Sequence, residues 1–150
     1  MNYQTLSVVL LVFVLAISGC GSVPTAVAAN SSPQPLAVED QASLVAALEA
    51  AGATVEPGEP VTQVFFSPEG SIIKVNGADV QVFEYESAEA MESEAAQVAP
   101  DGGSIGTSMV TWVDTPHFYK AGRIIVLYVG SDETVPGLLE KVLGPQFAGR

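Results

Sequence analysis

Cysteine, histidine and basic residues are scarce in this chain of 150 residues: one cysteine, one histidine, and five lysines and arginines. A single cysteine cannot close an intrachain disulfide, so stability has to come from a packed core. One His and one Cys make at most half of a zinc tetrad, and no alternating Asp/Asn loop ends on a glutamate. Zinc and calcium motifs are therefore both missing, and no metal or cofactor is expected. The five cations, Lys74, Lys120, Arg123, Lys141 and Arg150, face 17 acidic residues, for a formal net charge of −12. Such a surface repels phosphate backbones and argues against nucleic acid as a partner, while keeping a domain soluble.

Charge of either sign is missing altogether ahead of Glu39. Within that stretch Leu6 to Ile17, LSVVLLVFVLAI, is an almost unbroken apolar run. It is shorter than the roughly 20 residues of a spanning helix and matches the core of a signal peptide. The leading MNYQT carries no Lys or Arg, which leaves the α-amino group as the positive charge such signals use. Directly after the run stand Ile17, Ser18, Gly19 and Cys20: a branched aliphatic, two small residues and the only thiol.

That tetrapeptide resembles the lipobox of bacterial lipoproteins. The resemblance implies that Cys20 is alkylated by diacylglycerol and that a dedicated peptidase then cuts just before it. The residue types suit the chemistry, since a thiolate is the best side-chain nucleophile near neutral pH and small residues let an extended backbone enter a protease cleft. A buried cysteine or a permanent membrane anchor is the competing reading of the same segment. The expected organisation is a signal peptide over residues 1–19, a lipidated Cys20 with a flexible tether over residues 20–37, and a single domain over residues 38–150. The tether, GSVPTAVAANSSPQPL, is rich in Pro, Ser and Ala and should hold the domain away from the bilayer in extended conformations. The expected address is the extracytoplasmic face of the cell membrane; Gly21 stands where many lipoproteins kept at the inner membrane have aspartate.

Beyond the tether, Asp40 can cap a helix with Leu44, Val45, Leu48 and Ala51 on one face and Gly52 as its stop. Extended pieces follow at Thr54 to Val55 and Val61 to Phe66, with Pro57, Gly58 and Pro60 read as loop between them. Ile72 to Val75 and Val80 to Tyr85 form a hairpin through Asn76-Gly77. Ser87 caps a second helix whose stripe is Ala88, Met91, Ala95 and Val98. Met109 to Val113 and Arg123 to Val129 make another strand pair, and a last helix runs to Leu143, stopped by Gly144-Pro145.

An offset of 44 residues lays Val80 on Ile124, Val82 on Val126 and Met91, Ala95, Val98 on Val135, Leu139, Val142, which implies two strand-strand-helix units. The expected fold is α+β: a twisted antiparallel sheet of about five strands with two helices on one face and the first helix at an edge. From DVQVFEYESAEAMESEAAQVA to FYKAGRIIVLYVG, within residues 40–147, the pattern is similar to uncharacterised exported bacterial lipoprotein domains, a resemblance that brings no activity with it.

Candidate chemistry centres on TPHFYKAGR, read as a hairpin loop that groups His117, Tyr119, Lys120 and Arg123 into one ligand-binding cluster, with Asp114 or a sheet glutamate able to orient the imidazole. The competing reading makes His117 structural. No serine or cysteine stands in a nucleophile motif, so no catalytic residue is assigned. The glycines of DGGSIGTS, Asp101 to Ser108, lack a phosphate-loop lysine and lead into a strand, which marks them as turn formers. Aromatics concentrate on predicted strands and leave surface for a sugar or peptide unless the first helix or the tether covers it. The favoured function is a non-catalytic, lipid-anchored module that binds or spaces an envelope protein or glycan. The alternatives are a ligand-binding protein or enzyme at the His117 loop, and an inhibitor or assembly factor offering an open sheet edge.

Overall fold

The computed structural model describes residues 37–150; the expectations for Cys20, the signal segment and nearly all of the tether lie outside those residues. Helix α1 (Gln41–Ala50) starts where the sequence placed it. The Asp40 carboxylate accepts from the Ser43 N–H at 2.9 Å and the Ser43 hydroxyl accepts from the Asp40 N–H at 2.9 Å, a reciprocal capping box. Its inner stripe, Leu44, Ala47 and Leu48, is buried.

Strand β1 (Val55–Val61) runs straight through the prolines that were read as loop, pairing antiparallel with β2 (Gly70–Val75) around a bulge between Pro57 and Pro60. Proline is tolerated here because β1 is an edge strand, where a missing N–H costs no ladder bond. Strand β3 (Ala78–Glu84) returns through the two-residue turn Asn76-Gly77, both residues at positive φ (51° and 87°). Helix α2 (Ala88–Ala95) begins on Ser87, whose hydroxyl accepts from the Ala90 N–H. A small hairpin, β4 (Ser104–Ile105) and β5 (Ser108–Met109), turns at Gly106, and the glycines of this segment serve turns as read. Then come β6 (Pro116–Ala121), β7 (Ile124–Val129), helix α3 (Thr134–Leu143) and the short β8 (Ala148–Gly149).

The result is an α+β fold on an open antiparallel sheet, six strands in the order β1-β2-β3-β7-β6-β8. The sixth strand, β8, was not anticipated, because a two-residue Ala-Gly strand has no periodicity to read. The expected strand Met109 to Val113 shrinks to β5; from Val110 the chain instead folds inward against the sheet, with Val110 and Trp112 packed on the core.

The helices do not share a face, which corrects the expected layering. Helices α1 and α3 cover one side, where Leu44, Leu48, Val135 and Leu139 meet Ile73, Val80, Val82, Tyr119, Ile124 and Val126. On the other side lie α2 and the segment after it: Met91, Ala95, Val98 and Ile105 pack on Phe83, Tyr85, Phe118, Ile125 and Leu127. Helix α1 packs beside α3 on the first side and also touches the edge strand β1. Strand β7 explains this. Its residues Ile124 to Leu127 are 0% exposed, so both of its faces are oily and each needs its own cover.

The two strand-strand-helix units, β2-β3-α2 and β6-β7-α3, are both present but are not symmetric. Val82 pairs directly with Val126, so a 44-residue repeat would be related by a two-fold axis normal to the sheet through that pair. Such an axis keeps both helices on one face, whereas α2 and α3 lie on opposite faces. The strand-strand-helix order recurs; the arrangement does not.

On the α2 side the aromatics cover one another for the most part, with Phe65 and Trp112 left half-buried. Phe65 and Phe66 pack edge-on, Phe66 meets Phe83 at 4.8 Å between centroids, and Phe65 leads through Trp112 to Phe118. Within this cluster the Tyr85 hydroxyl is buried and has no hydrogen-bond partner among the described residues. Burial, and then the charge of Glu94, push its phenol pKa up, so it stays a protonated donor with nothing to donate to. Tyr85→Phe should therefore raise stability by about 1 kcal/mol in urea unfolding, since it removes an unsatisfied buried group at little change in shape. A loss of stability would show that the hydroxyl has a partner.

Candidate functional site

The segment read as a loop is strand β6. Phe118 and Tyr119 are strand formers, and the turn is confined to Gly122-Arg123 between the paired Ala121 and Ile124. Strand alternation then separates the four candidate residues. His117 and Tyr119 face the α1/α3 side, and Phe118 and Lys120 face the other. The Lys120 ammonium pairs with Glu92 of α2 and sits 5.3 Å from the centre of the Phe147 ring, so it ties α2 and the C-terminal segment to the strand.

Arg123 lies in the hairpin turn, at the end away from His117. Its guanidinium is 2.7 Å from the Glu84 carboxylate and 3.6 Å from Asp40, while the other Glu84 oxygen accepts from the Gln41 N–H at 3.0 Å. This group fastens the start of α1 to β3 and β7. Hydrogen bonds from the Ser43 N–H and hydroxyl, with the Arg123 charge behind them, hold the Asp40 carboxyl below its usual 3.8. Asp132 is held low in the same way by the Thr134 N–H at the head of α3. A carboxylate with a lowered folded-state pKa contributes stability that is complete above its unfolded value and is lost as pH falls through the folded one. Unfolding free energy should accordingly decline below pH 3.8, and the Asp40→Asn, Asp132→Asn double variant should show a shallower acid limb in urea titrations.

His117 and Tyr119 do meet acidic residues around one concavity. It has a volume of 380 Å³ and is lined by those two side chains from β6, by Glu133, Pro136 and Glu140 from α3, and by Pro145, Gln146 and Arg150 from the C-terminal segment. Asp114, expected to orient the imidazole, is elsewhere: it accepts from the Thr115 N–H at 2.7 Å and from the Ser131 hydroxyl at 3.3 Å.

His117 is 6% exposed, and its ring stacks on Tyr128 at 5.8 Å. Its Nε2 lies 3.2 Å from the Gly130 carbonyl and its Nδ1 lies 2.9 Å from the Gln146 side-chain amide. A carbonyl only accepts, so Nε2 carries the proton. The Gln146 atom that Nδ1 faces is Oε1; in a neutral ring Nδ1 accepts instead, with that amide turned nitrogen-first. Both ring nitrogens are spoken for. Among the described residues no hydroxyl or thiol is hydrogen-bonded to the imidazole, and its contacts join β6 to Gly130 and the C-terminal segment.

Tyr119 donates to the Pro136 carbonyl at 3.4 Å; burial, then the charges of Glu140 and Glu133, raise its pKa. Among the described residues Glu133 and Glu140 take part in no ion pair, and no group of three or more His, Cys, Asp or Glu is placed to hold a metal. The chemistry open to this concavity is recognition of a polar or cationic group. Glu133 and Glu140 escaped the sequence reading, although seven residues along a helix return to the same face.

A second concavity, 430 Å³, opens between the turn at Asp101 and Gly103 and the segment Val110 to Pro116, with Trp112 and Arg150 on its wall. The sheet edges offer less. β1 carries Pro57, Pro60, Glu56 and Glu59 around a bulge, and β8 is two residues long, so no long bare strand is present among the described residues to receive a partner strand. Comparison of the chain with protein-family models, with curated proteins and with solved structures returns no match.

Proposed function

We propose that the protein is a lipid-anchored module on the extracytoplasmic face of the cell membrane, whose folded domain binds an envelope component without transforming it. The observation that carries this reading is Ile17-Ser18-Gly19-Cys20 placed directly after a charge-free apolar run and ahead of a Pro- and Ser-rich tether. The acidic domain supports it: a net charge of −12 keeps such a body off anionic headgroups, so attachment falls to the lipid alone. The domain's histidine supports the non-catalytic part, because both ring nitrogens are used in holding the fold together. The test is the mass of the amino-terminal peptide of protein purified from its native membranes. A peptide beginning at Cys20 with a diacylglyceryl thioether sustains the reading; an intact Met1 or a free thiol overturns it.

A second reading, a small-ligand protein centred on His117, is favoured by one observation, the concavity that gathers His117, Tyr119, Glu133 and Glu140. Lys120 and Arg123 have no part in it, since each is engaged in ion pairs away from that concavity.

A further inference from the structure

We infer that the second concavity is a saccharide subsite that takes a neutral pyranose through Trp112, Asp101, Asp114 and the hydroxyls of Thr111 and Thr115. This names a ligand class for the binding module proposed above, and it rests on that reading only for where the ligand is encountered. The volume, 430 Å³, lies within the ordinary span of small-ligand sites.

Its apolar wall is the half-buried Trp112, the only tryptophan of the chain. The indole N–H donates to the Gly102 carbonyl at 2.7 Å, and the ring meets Phe65 at 5.9 Å and Phe118 at 5.7 Å, both edge-on. The ring is thus fixed before any ligand arrives, and a ligand packing on its exposed part costs no side-chain freedom.

The polar groups are fixed as well. Asp101 Oδ1 accepts from the Gly103 N–H at 2.9 Å and Asp114 Oδ1 accepts from the Thr115 N–H at 2.7 Å. Asp101 Oδ2 has no protein donor among the described residues, and Asp114 Oδ2 has only the long contact to the Ser131 hydroxyl at 3.3 Å. Carboxylate oxygens accept and never donate, so the ligand must bring hydrogen-bond donors; the threonine hydroxyls serve either sense, and Arg150 only donates.

Two carboxylates against one guanidinium, on a chain of net charge −12, disfavour phosphates and carboxylates as ligands. A ligand that offers several hydroxyl donors, some acceptors and an apolar ring face, without negative charge, has the chemistry of a saccharide. The first concavity offers prolines but no open aromatic ring, since its one aromatic carbocycle, Tyr119, is 2% exposed.

The experiment titrates the full chain, in lipid nanodiscs free of glycoside detergent, with chitotriose, cellotriose and maltotriose, reading the fluorescence of Trp112. A saturable change with at least one of them is expected, weakened about tenfold in Asp114→Asn, as befits the loss of a charged hydrogen-bond acceptor. Trp112→Phe, followed by calorimetry and checked for folding by circular dichroism, should lose most of the binding. Thr111→Ala, at an exposed position that leaves the core untouched, should weaken it without altering stability. No saturable change with any of the three sugars, or unchanged affinity in both Asp114→Asn and Thr111→Ala, overturns the inference. The Cys20→Ser chain should give the same titration as the native one, so a failure to bind sugar and a failure to carry lipid are read separately.

Discussion

A Cys20→Ser chain is expected to leave the membrane fraction almost completely on extraction with alkaline carbonate, while the native chain stays. The magnitude follows from how acyl chains bind bilayers. Each buried methylene contributes about 0.8 kcal/mol, one chain alone holds only marginally, and two or more anchor stably. Under the proposed lipidation, diacylglycerol on the thiol supplies two chains, so losing the sulfur removes the whole attachment. What remains cannot replace it. The run Leu6 to Ile17 would extend only about 18 Å as a helix, against a hydrocarbon core of about 30 Å. No helix among the described residues is long and apolar enough to cross a membrane, and a net charge of −12 offers no attraction to anionic lipid. A Cys20→Ser chain that resists carbonate as firmly as the native one would sink the lipid anchor.

Much of the fold was legible because its local signals are chemical. Asp40 and Ser87 cap the helices they were expected to cap, Asn76-Gly77 makes the tight turn, and Gly144 ends α3. Layering was misread because the helical stripes state only that a face is buried, not which side of the sheet receives it. The information was nevertheless in the chain, in the unalternating run Ile124 to Val129. A strand apolar at every position needs cover on both sides, and two helices on one face could never have satisfied it. Pro57 and Pro60 misled for the opposite reason: their meaning depends on whether β1 is central or at an edge, which the pairing of distant strands decides.

The site was less legible than the fold. His117 and Tyr119 do share a concavity, but the partners that close it come from α3 and the C-terminal segment, brought in by the packing of Val135 and Leu139 on the sheet. Grouping His117, Tyr119, Lys120 and Arg123 by proximity in sequence assumed a loop; on a strand, neighbours point apart. The true company of Arg123 is Asp40 and Glu84, residues with no sequence proximity to it.

That cluster sits on a turn with no room for a Cβ, and Gly122→Ala is expected to lower stability by at least about 3 kcal/mol, well beyond the usual single substitution. Gly122 has φ +51°, where a side chain costs roughly 1–2 kcal/mol by itself. Added to this, a Cβ there would overlap the backbone of Glu39, within 2.6 Å of its carbonyl carbon and nearer still to its Cα and oxygen. Backbone cannot rotate out of the way as a side chain can, so the segment leading into α1 must move. That movement breaks the Arg123 N–H bond to the Glu39 carbonyl, now 2.9 Å, and carries Asp40 away from Arg123 and out of its capping box. Gly77→Ala separates the two contributions: Gly77 has φ +87° with nothing near its missing Cβ, so it should lose only about 1–2 kcal/mol. Urea unfolding of the two variants at a common m value measures the difference. Equal losses would show that the crowding against Glu39 contributes nothing and that α1 is not held at this turn.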